Sequence, residues 1–326
     1  MKFCIYGAGA IGGLIGAHLA RSGEDVTLIA RGAHLAAMRE RGLKGSGHGG
    51  TFTVHPAATD DPTEAGPQDF VIVARKAQAV PALAEKMAPL LGPKTAVVMA
   101  VNGVPWGYFH GVDGPLKDRR IPAVDPGDLQ WRHIGPERVI GCVVYPAAEV
   151  VAPGEIRHVE NDRFSLGEPD DSRSERVLAL SRAFVAAGFK AAVKSGIRTE
   201  IWVKLWGNVA FNPISALTGG TLKSIAEDPG TRATARAVMP EAEAIANKLG
   251  ITMPIPVEKR IDGAAGVGDH KTSMLQDFER GRPVELDAIV GAVAELGRLV
   301  GVPTPMIDTV YALTRHKAIR AGLYPG

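Results

Sequence analysis

The feature that most constrains the fold of this chain is a glycine-rich turn near its beginning, GAGAIG at residues 7–12. It follows the apolar run KFCIY (2–6) and opens a helix-length stretch (10–21). A GxGxxG between a strand and a helix is typical of a dinucleotide-binding βαβ unit. In such a loop the first glycine allows the tight turn, the second lets the backbone approach a pyrophosphate, and the third lets helix and strand pack closely. We therefore predict a pyrophosphate-binding loop made of Gly7, Ala8, Gly9, Ala10, Ile11 and Gly12.

The first half of the chain alternates short apolar runs with helix-length amphipathic ones. Apolar runs that are buried on both faces are typical of parallel sheets covered by helices. We predict strands at 2–6, 25–30, 70–74, 95–100, 138–145, 154–159, 163–167 and 189–193, and helices at 10–21, 32–41, 77–90 and 174–187. This order indicates an α/β fold, with an N-terminal Rossmann-like doubly wound domain over residues 1–195.

From about residue 196 onward helical periods dominate. They predict helices at 198–217, 231–249, 255–264, 271–280, 284–300 and 306–320. We therefore predict an all-α C-terminal domain over residues 196–326.

Two segments rich in glycine and proline interrupt the first half. GLKGSGHGG (42–50) reads as a mobile loop in which His48 is solvated rather than a ligand. Residues 104–136 show no clean period, and a loop of that length in a compact domain is commonly functional or disordered.

The ends of three predicted strands carry candidate ligand-binding side chains. An NAD-selective site places Asp or Glu after the second strand, whereas this chain places Arg31 there, which suits a 2′-phosphate. We therefore expect NADP(H) as the cofactor. Lys76 could add a second cation at the same sheet edge, although a solvated lysine is the alternative. Asn102, in the turn VNG, is a further candidate because ligands bind at the carboxyl edge of such sheets.

The stretch EIWVKLWGNVAFNP (200–213) places Lys204, Asn208 and Asn212 four residues apart within an apolar helix. Positions four apart lie on nearly one stripe, because a helix advances about 100° per residue. An ammonium in apolar surroundings has its pKa lowered from ~10.4, which would make Lys204 a usable general acid. The alternative is that Lys204 reaches solvent and the asparagines bridge helices. Pro213 is expected to end or kink this helix.

The stretch HKTSMLQDFERGRPVELD (270–287) adds Ser273 and Glu285 to the candidates. We expect Glu285 in the first turn of a helix, where the helix dipole favours a carboxylate whatever its function.

Five motifs in this order resemble the ketopantoate reductases (2-dehydropantoate 2-reductases): GAGAIG, AR at 30–31, VNG at 101–103, KLWGNVAFNP at 204–213 and SMLQDFERGRPVELD at 273–287. The resemblance runs from Met1 to about Leu313. It implies NADPH-dependent reduction of ketopantoate to pantoate, in pantothenate biosynthesis.

The resemblance also assigns a role to each candidate residue. Lys204 matches the catalytic proton donor, Arg31 and Lys76 match the basic pair around the 2′-phosphate, and Glu285 matches a glutamate beside the cofactor and the lysine. The matches to substrate-binding residues are Asn208, Asn212, Ser273 and Asn102, the last of which also lies near the nicotinamide.

Two departures from the family pattern lie where substrate choice could be made. The 104–136 stretch is long and could cover the cleft, and His270 replaces an amide-bearing residue of some members. Two alternatives therefore remain: a paralogous reductase of another 2-keto acid, and an NADP-binding protein without turnover.

Composition excludes several other classes of protein. With 37 Lys and Arg against 35 Asp and Glu, the net charge of +2 gives no reason to expect nucleic acid or a membrane surface as a partner. No apolar run reaches the roughly 18 residues of a membrane span, and no metal-binding motif is present. Cys4 and Cys142 read as buried thiols, which suits the cytoplasm. A small-molecule substrate is therefore the expected partner, and a homodimer remains open.

Overall fold

The computed structural model describes residues 1–47 and 49–325. The chain forms two compact units. The first comprises Met1–Val101, Pro105–Arg120 and Gly127–Ile197, and the second comprises Asn102–Val104, Ile121–Pro126 and the residues from Arg198 onward.

The first unit contains twelve strands and four α-helices among the described residues. The strands are β1 (Lys2–Tyr6), β2 (Asp25–Ile29), β3 (Leu43–Ser46), β4 (Phe52–Val54), β5 (Ala57–Thr59), β6 (Gln68–Val73), β7 (Leu91–Met99), β8 (Val139–Val144), β9 (Ala147–Ala152), β10 (Glu155–Glu160), β11 (Arg163–Gly167) and β12 (Lys190–Val193). The helices are α1 (Ala10–Arg21), α2 (Gly32–Arg41), α3 (Leu129–His133) and α4 (Glu175–Ala186).

Eight of these strands form one sheet in the order β12-β11-β8-β7-β6-β1-β2-β5. From β5 to β8 the neighbours are all parallel, and β11 then pairs antiparallel with β8. Strands β1, β6 and β8 are almost wholly buried, which explains the apolar runs FCIY, FVIV and VIGCVV within them. The predicted doubly wound domain is confirmed.

The other four strands form a small sheet in the order β4-β3-β10-β9, and α1 packs between the two sheets. The glycines of α1 allow this helix to lie close to both sheets. A Cβ added at Gly16 would lie 2.6 Å from Leu28 Cδ2 in β2, and one added at Gly13 would lie 2.8 Å from Ile156 Cδ1 in β10. Helix α1 is therefore narrow on both faces, as a helix enclosed by two sheets must be.

Two sequence predictions in this unit are wrong. Residues 77–90 form no α-helix but three short 3-10 segments, Ala77–Ala79, Pro81–Leu83 and Glu85–Leu90. Pro81 and Pro89 explain this difference, because proline has no N–H for a helix ladder and 3-10 geometry is used in short pieces.

The segment 42–50 is not simply a loop, because β3 occupies Leu43–Ser46 and pairs with β10 and β4. Gly45 is needed there, since a Cβ would lie 2.7 Å from the ring of Phe52. His48 lies outside the described residues.

The 104–136 segment is irregular over most of its length, as the sequence indicated, but its side chains are packed. It contains α3, and its aromatic side chains Trp106, Tyr108 and Phe109 are buried. The guanidinium of Arg120 stacks 3.4 Å above the ring of Trp131. Burial of these large side chains, rather than backbone regularity, orders the segment.

The second unit is helical, and the predicted all-α fold after residue 196 is confirmed. Its helices are α5 (Ile197–Thr218), α6 (Leu222–Glu227), α7 (Pro229–Lys248), α8 (Val257–Gly266), α9 (Ser273–Glu279), α10 (Ala292–Val300) and α11 (Pro305–Arg320). One π-helical turn, Asp287–Gly291, leads directly into α10.

Helix α5 is buried along most of its length. Trp202 and Trp206 are fully buried, and Trp206 Nε1 donates to the carbonyl of Met239 in α7 at 2.9 Å. Pro213, which the sequence predicts to end or kink this helix, does not end it, because α5 continues to Thr218, and the kink stays a prediction. Tertiary packing supplies most of the stability of such a helix and outweighs the one missing backbone hydrogen bond.

Within the described ranges, no helix is both long and apolar enough to cross a membrane. Cys4 and Cys142 are both buried, and no disulfide joins them.

Candidate functional site

In the glycine-rich loop, Gly7 and Gly12 have close neighbours, whereas Gly9 faces open space. Gly7 has φ +110°, which favours glycine, and a Cβ at Gly12 would lie 2.1 Å from the carbonyl oxygen of Gly7. A Cβ at Gly9, the N-cap of α1, would meet nothing within 4 Å. The space at Gly9 and the N–H groups at the start of a twelve-residue helix without acidic residues in its first turn fit a pyrophosphate.

His34 in α2 supports this loop, and the sequence did not point to it. The backbone N–H of Gly154 donates to His34 Nδ1 at 2.9 Å, so the ring proton lies on Nε2, which donates to the carbonyl of Ala8 at 2.8 Å. Burial lowers the pKa of His34, so the ring is neutral as this arrangement requires. The imidazole thus connects the glycine-rich loop to the turn before β10.

Two arginines lie beside the loop. Arg31 is the N-cap residue of α2, and the Cδ of Arg75 lies 2.4 Å from the position that a Cβ of Gly7 would take. Burial and the nearby positive charge of Arg31 lower the pKa of Arg75. Two guanidinium groups held close together suit a doubly charged anion such as a phosphate monoester.

Sequence reasoning paired Arg31 with Lys76 and missed Arg75. Lys76 is the N-cap residue of the 3-10 segment at Ala77–Ala79, directly after Arg75. In the sequence, Arg75 is marked only by its position next to Lys76 in ARKAQ. The sequence does not show that the side chain of Arg75 lies against Gly7.

In the second unit the structure brings Lys204 and Asn102 together. Lys204 Nζ donates to Asn102 Oδ1 at 2.7 Å, and the side chain of Lys204 is half-buried. A lysine ammonium has three donors, and this hydrogen bond uses one of them. The neutral carboxamide of Asn102 is thereby one of the groups that orient the ammonium.

Asn102 is itself held by a tight turn against the π-helical turn. The N–H of Val104 donates to the carbonyl of Ala288 at 2.9 Å. Gly103 has φ +91°, and a Cβ there would lie 2.2 Å from the same oxygen. Only glycine allows the chain to pass this close to Ala288. Gly103 of the sequence VNG therefore fixes the position of the neighbouring Asn102.

The π-helical turn is anchored through its first residue. The carboxylate of Asp287 accepts hydrogen bonds from the hydroxyls of Tyr311 and Tyr324, each at 2.7 Å. Burial, together with the hydrogen bonds of its hydroxyl to Tyr324 and Asp287, raises the pKa of Tyr311. π-Helical turns are rare and occur frequently at functional sites.

The remaining candidates lie on separate elements of the second unit. On α5, Asn208 is half-buried and Asn212 is buried. Ser273 is the exposed first residue of α9, after its capping residue Thr272. Glu285 is buried and precedes the helical residues, which begin at Leu286, so its expected place in the first helical turn is wrong by one residue.

In chemical terms, the first unit offers a backbone anion site flanked by guanidinium groups. The second offers an ammonium and carboxamides on one helix. The first combination suits a phosphorylated dinucleotide, and the second suits a proton transfer to an oxygen atom. Among the described residues, no group of three His, Cys, Asp or Glu side chains could hold a metal ion.

Comparison with known proteins agrees with this arrangement. Two family models match the chain: "Ketopantoate reductase PanE/ApbA" over residues 3–171 and "Ketopantoate reductase PanE/ApbA C terminal" over residues 196–318. A 2-dehydropantoate 2-reductase of Mesorhizobium japonicum is 57% identical over 325 residues, which cover 99% of this chain and 100% of that protein.

Solved structures show the same fold. The PanE/ApbA family ketopantoate reductase of Ralstonia eutropha superposes with a TM-score of 0.85 at 28% identity, covering 99% of this chain and 100% of that one. A D-mandelate dehydrogenase solved with NADH and anilino(oxo)acetate gives a TM-score of 0.82 at 21% identity, covering 99% and 100%, and shows the fold alone. With both family models and a relative matched along nearly its whole length, the chain belongs to the ketopantoate reductase family of oxidoreductases.

Proposed function

We propose that this chain reduces the 2-keto group of 2-dehydropantoate to give pantoate, with NADPH as the reductant and Lys204 as the general acid. The observation that carries the proposal is the hydrogen bond of Lys204 Nζ to Asn102 Oδ1 at 2.7 Å, which holds an ammonium on the half-buried face of α5. The 57% identical relative named for this reaction supports the substrate.

The glycine-rich loop and the arginines beside it would hold the nicotinamide cofactor, whose chemistry would be to supply a hydride to C2 of the keto acid, while the protein supplies orientation and a proton. Negative charge develops on the keto oxygen as the hydride arrives. The Lys204 ammonium stabilises that charge and then transfers its proton to the oxygen, which leaves a hydroxyl group and a neutral amine. Asn102 accepts a hydrogen bond from the same nitrogen and so helps to orient it.

The other candidates complete the proposed site. Asn208 and Asn212 on α5 and Ser273 at the start of α9 bind the substrate, while Glu285 lies by the cofactor and the lysine. Arg31, with Lys76 and Arg75, selects NADPH over NADH through the 2′-phosphate. The buried thiols Cys4 and Cys142 are consistent with a reducing, cytoplasmic setting.

The role of Lys204 is tested by the variant Lys204→Met, which keeps the length of the side chain but removes the proton. We expect kcat to fall by about 10² to 10⁴-fold, the usual contribution of a general acid, while the Kd for NADPH stays unchanged. Lys248→Met, at an exposed lysine of α7, is the matched control. Wild-type turnover in Lys204→Met would exclude this lysine as the proton donor.

The substrate is tested by kcat/KM values for 2-dehydropantoate and for a panel of 2-keto acids, including 2-ketoisovalerate, pyruvate and benzoylformate. We expect 2-dehydropantoate to give the highest value. A better substrate elsewhere in the panel would identify the chain as a paralogous reductase.

A further inference from the structure

The face of α5 that carries Lys204 also carries a second cation from another helix. Between Ile201 and Ala216, α5 is buried except at Val203, Lys204 and Asn208. Gly207 lies on this face, three residues after Lys204 and next to Asn208, and positions three apart are neighbours on a helix surface. Gly207 is buried although it has no side chain of its own.

Arg260 of α8 lies against Gly207. A Cβ added at Gly207 would lie 2.1 Å from Arg260 Nη2, 2.9 Å from Cζ and 3.3 Å from Nε. The Nη2 side of the guanidinium therefore occupies the space that a side chain at position 207 would fill. The half-buried face of α5 thus carries Lys204 and, against Gly207 three residues further along, a planar guanidinium.

The orientation of α8 explains why Arg260 points to α5. Glu258 and Asp262 accept hydrogen bonds from Arg232 of α7 at 2.8 and 2.7 Å, and Glu258 also accepts from Arg236. These two guanidinium groups hold the pKa of Glu258 down at about 2. Residues two apart point to opposite sides of a helix, so Arg260 lies away from its acidic neighbours in sequence.

We propose that Arg260 binds the carboxylate of the 2-keto acid and so selects substrates that carry a carboxylate next to the keto group. This inference rests on the proposed function, to which it adds a specificity-determining residue. Among the substrate-site candidates found in the sequence, the amides and the hydroxyl are neutral, and the one cation, Lys204, is assigned to the keto oxygen rather than to the carboxylate. A guanidinium has five N–H donors in a planar fork that fits a carboxylate and leaves donors for its contacts within the protein.

The geometry also gives Gly207 a role. Because only glycine leaves room for the guanidinium, position 207 controls the position of Arg260 without contacting the substrate. Gly207→Ala should therefore have the same kinetic effect as a change at Arg260. The matched control is Gly263→Ala in α8, where an added Cβ would meet nothing within 4 Å.

The experiment compares the 2-keto acid with its uncharged methyl ester as substrates of wild type, Arg260→Gln, Arg260→Lys, Gly207→Ala and Gly263→Ala. In Arg260→Gln we expect kcat/KM for the acid to fall roughly 10- to 100-fold, mainly through KM, because charge-assisted bidentate hydrogen bonds are strong. The value for the ester should change little. Gly207→Ala should follow Arg260→Gln, Arg260→Lys should recover part of the loss, and Gly263→Ala should resemble wild type.

Thermal melting and the Kd for NADPH identify any variant that fails to fold. If Arg260→Gln is folded and keeps the wild-type preference for acid over ester, Arg260 does not bind the carboxylate, whereas the proposed reductase activity stands. If wild type reduces no 2-keto acid, the proposed function fails, and calorimetric titration of 2-dehydropantoate into the NADP⁺-bound protein tests Arg260. Binding that is weakened in Arg260→Gln and Gly207→Ala supports the inference, and equal binding in all variants overturns it.

Discussion

The start of α1 and the middle of α5 prepare binding surfaces in opposite ways. At the start of α1 the side chains are absent: Gly9 leaves open space and Gly12 lets the helix contact the carbonyl of Gly7. In α5 the proposed chemistry lies in side chains, since Lys204 and Asn208 stand on a stretch, 201–216, in which every other residue except Val203 is buried. A surface built from backbone atoms therefore loses binding when atoms are added. A surface built from side chains loses its chemistry when atoms are removed.

The largest effect should come from adding one methyl group to α1. In Gly12→Ala the new Cβ would lie 2.1 Å from the Gly7 carbonyl oxygen, a backbone atom that cannot move aside alone. We expect a loss of more than about 3 kcal/mol in the free energy of unfolding, beyond ordinary overpacking. Denaturant unfolding measures it.

Gly9→Ala is the matched variant, because its Cβ meets nothing within 4 Å. It should unfold like wild type but bind NADPH more weakly, since the methyl group occupies the space near the pyrophosphate. Similar unfolding curves for the two variants would show that the glycines of this loop are not distinguished by packing.

An intermediate effect should come from the arginines beside the loop, where side chains supplement the backbone. Arg31→Ala and Arg75→Ala should each weaken binding of NADPH by roughly tenfold or more and leave NADH nearly unaffected, because charge-assisted hydrogen bonds to the 2′-phosphate are lost. Fluorescence titration with both cofactors measures this. An equal loss for NADPH and NADH in Arg75→Ala would assign that arginine to packing against Gly7.

The smallest effect concerns His34, whose neutral ring connects the loop to the turn before β10. Burial lowers the pKa of His34 below its ordinary 6.5, so the unfolded chain binds a proton there more readily than the folded chain. Its contribution to stability is therefore complete above about pH 6.5 and is lost as the pH falls towards the lower pKa of the folded state.

We expect the melting temperature of wild type to fall more steeply below pH 6.5 than that of His34→Gln. His316→Gln, at an exposed histidine of α11, is the control and should follow wild type. Parallel curves for all three proteins would show that His34 does not contribute to the pH dependence.

Much of the fold was predictable because burial on both faces leaves a plain signal. Strands β1, β6 and β8 contain the apolar runs FCIY, FVIV and VIGCVV, and helical periods dominate after residue 196. The failures have a different origin. Proline broke the predicted helix at 77–90, and a glycine that accommodates the ring of Phe52 was read as part of a mobile loop.

Candidate site residues could be chosen from the sequence where a motif or a helical period marked them, as for Lys204 and Asn208, and their roles stay predictions. Arg75 and Arg260 could not be found in this way, because each owes its place to a glycine far away in the chain, Gly7 and Gly207 respectively. Such pairs follow from tertiary packing, which neither local composition nor periodicity records.

The turn from Asn102 to Val104 belongs to the helical unit, although nearly a hundred residues separate it from α5. A fragment beginning at Arg198 would retain almost all of the helical residues and still lack the carboxamide that directs the Lys204 ammonium. Chimeras that exchange the C-terminal halves of two family members would therefore combine the lysine of one member with the VNG asparagine of the other. Chimeras should carry the short VNG segment along with the helices that it serves.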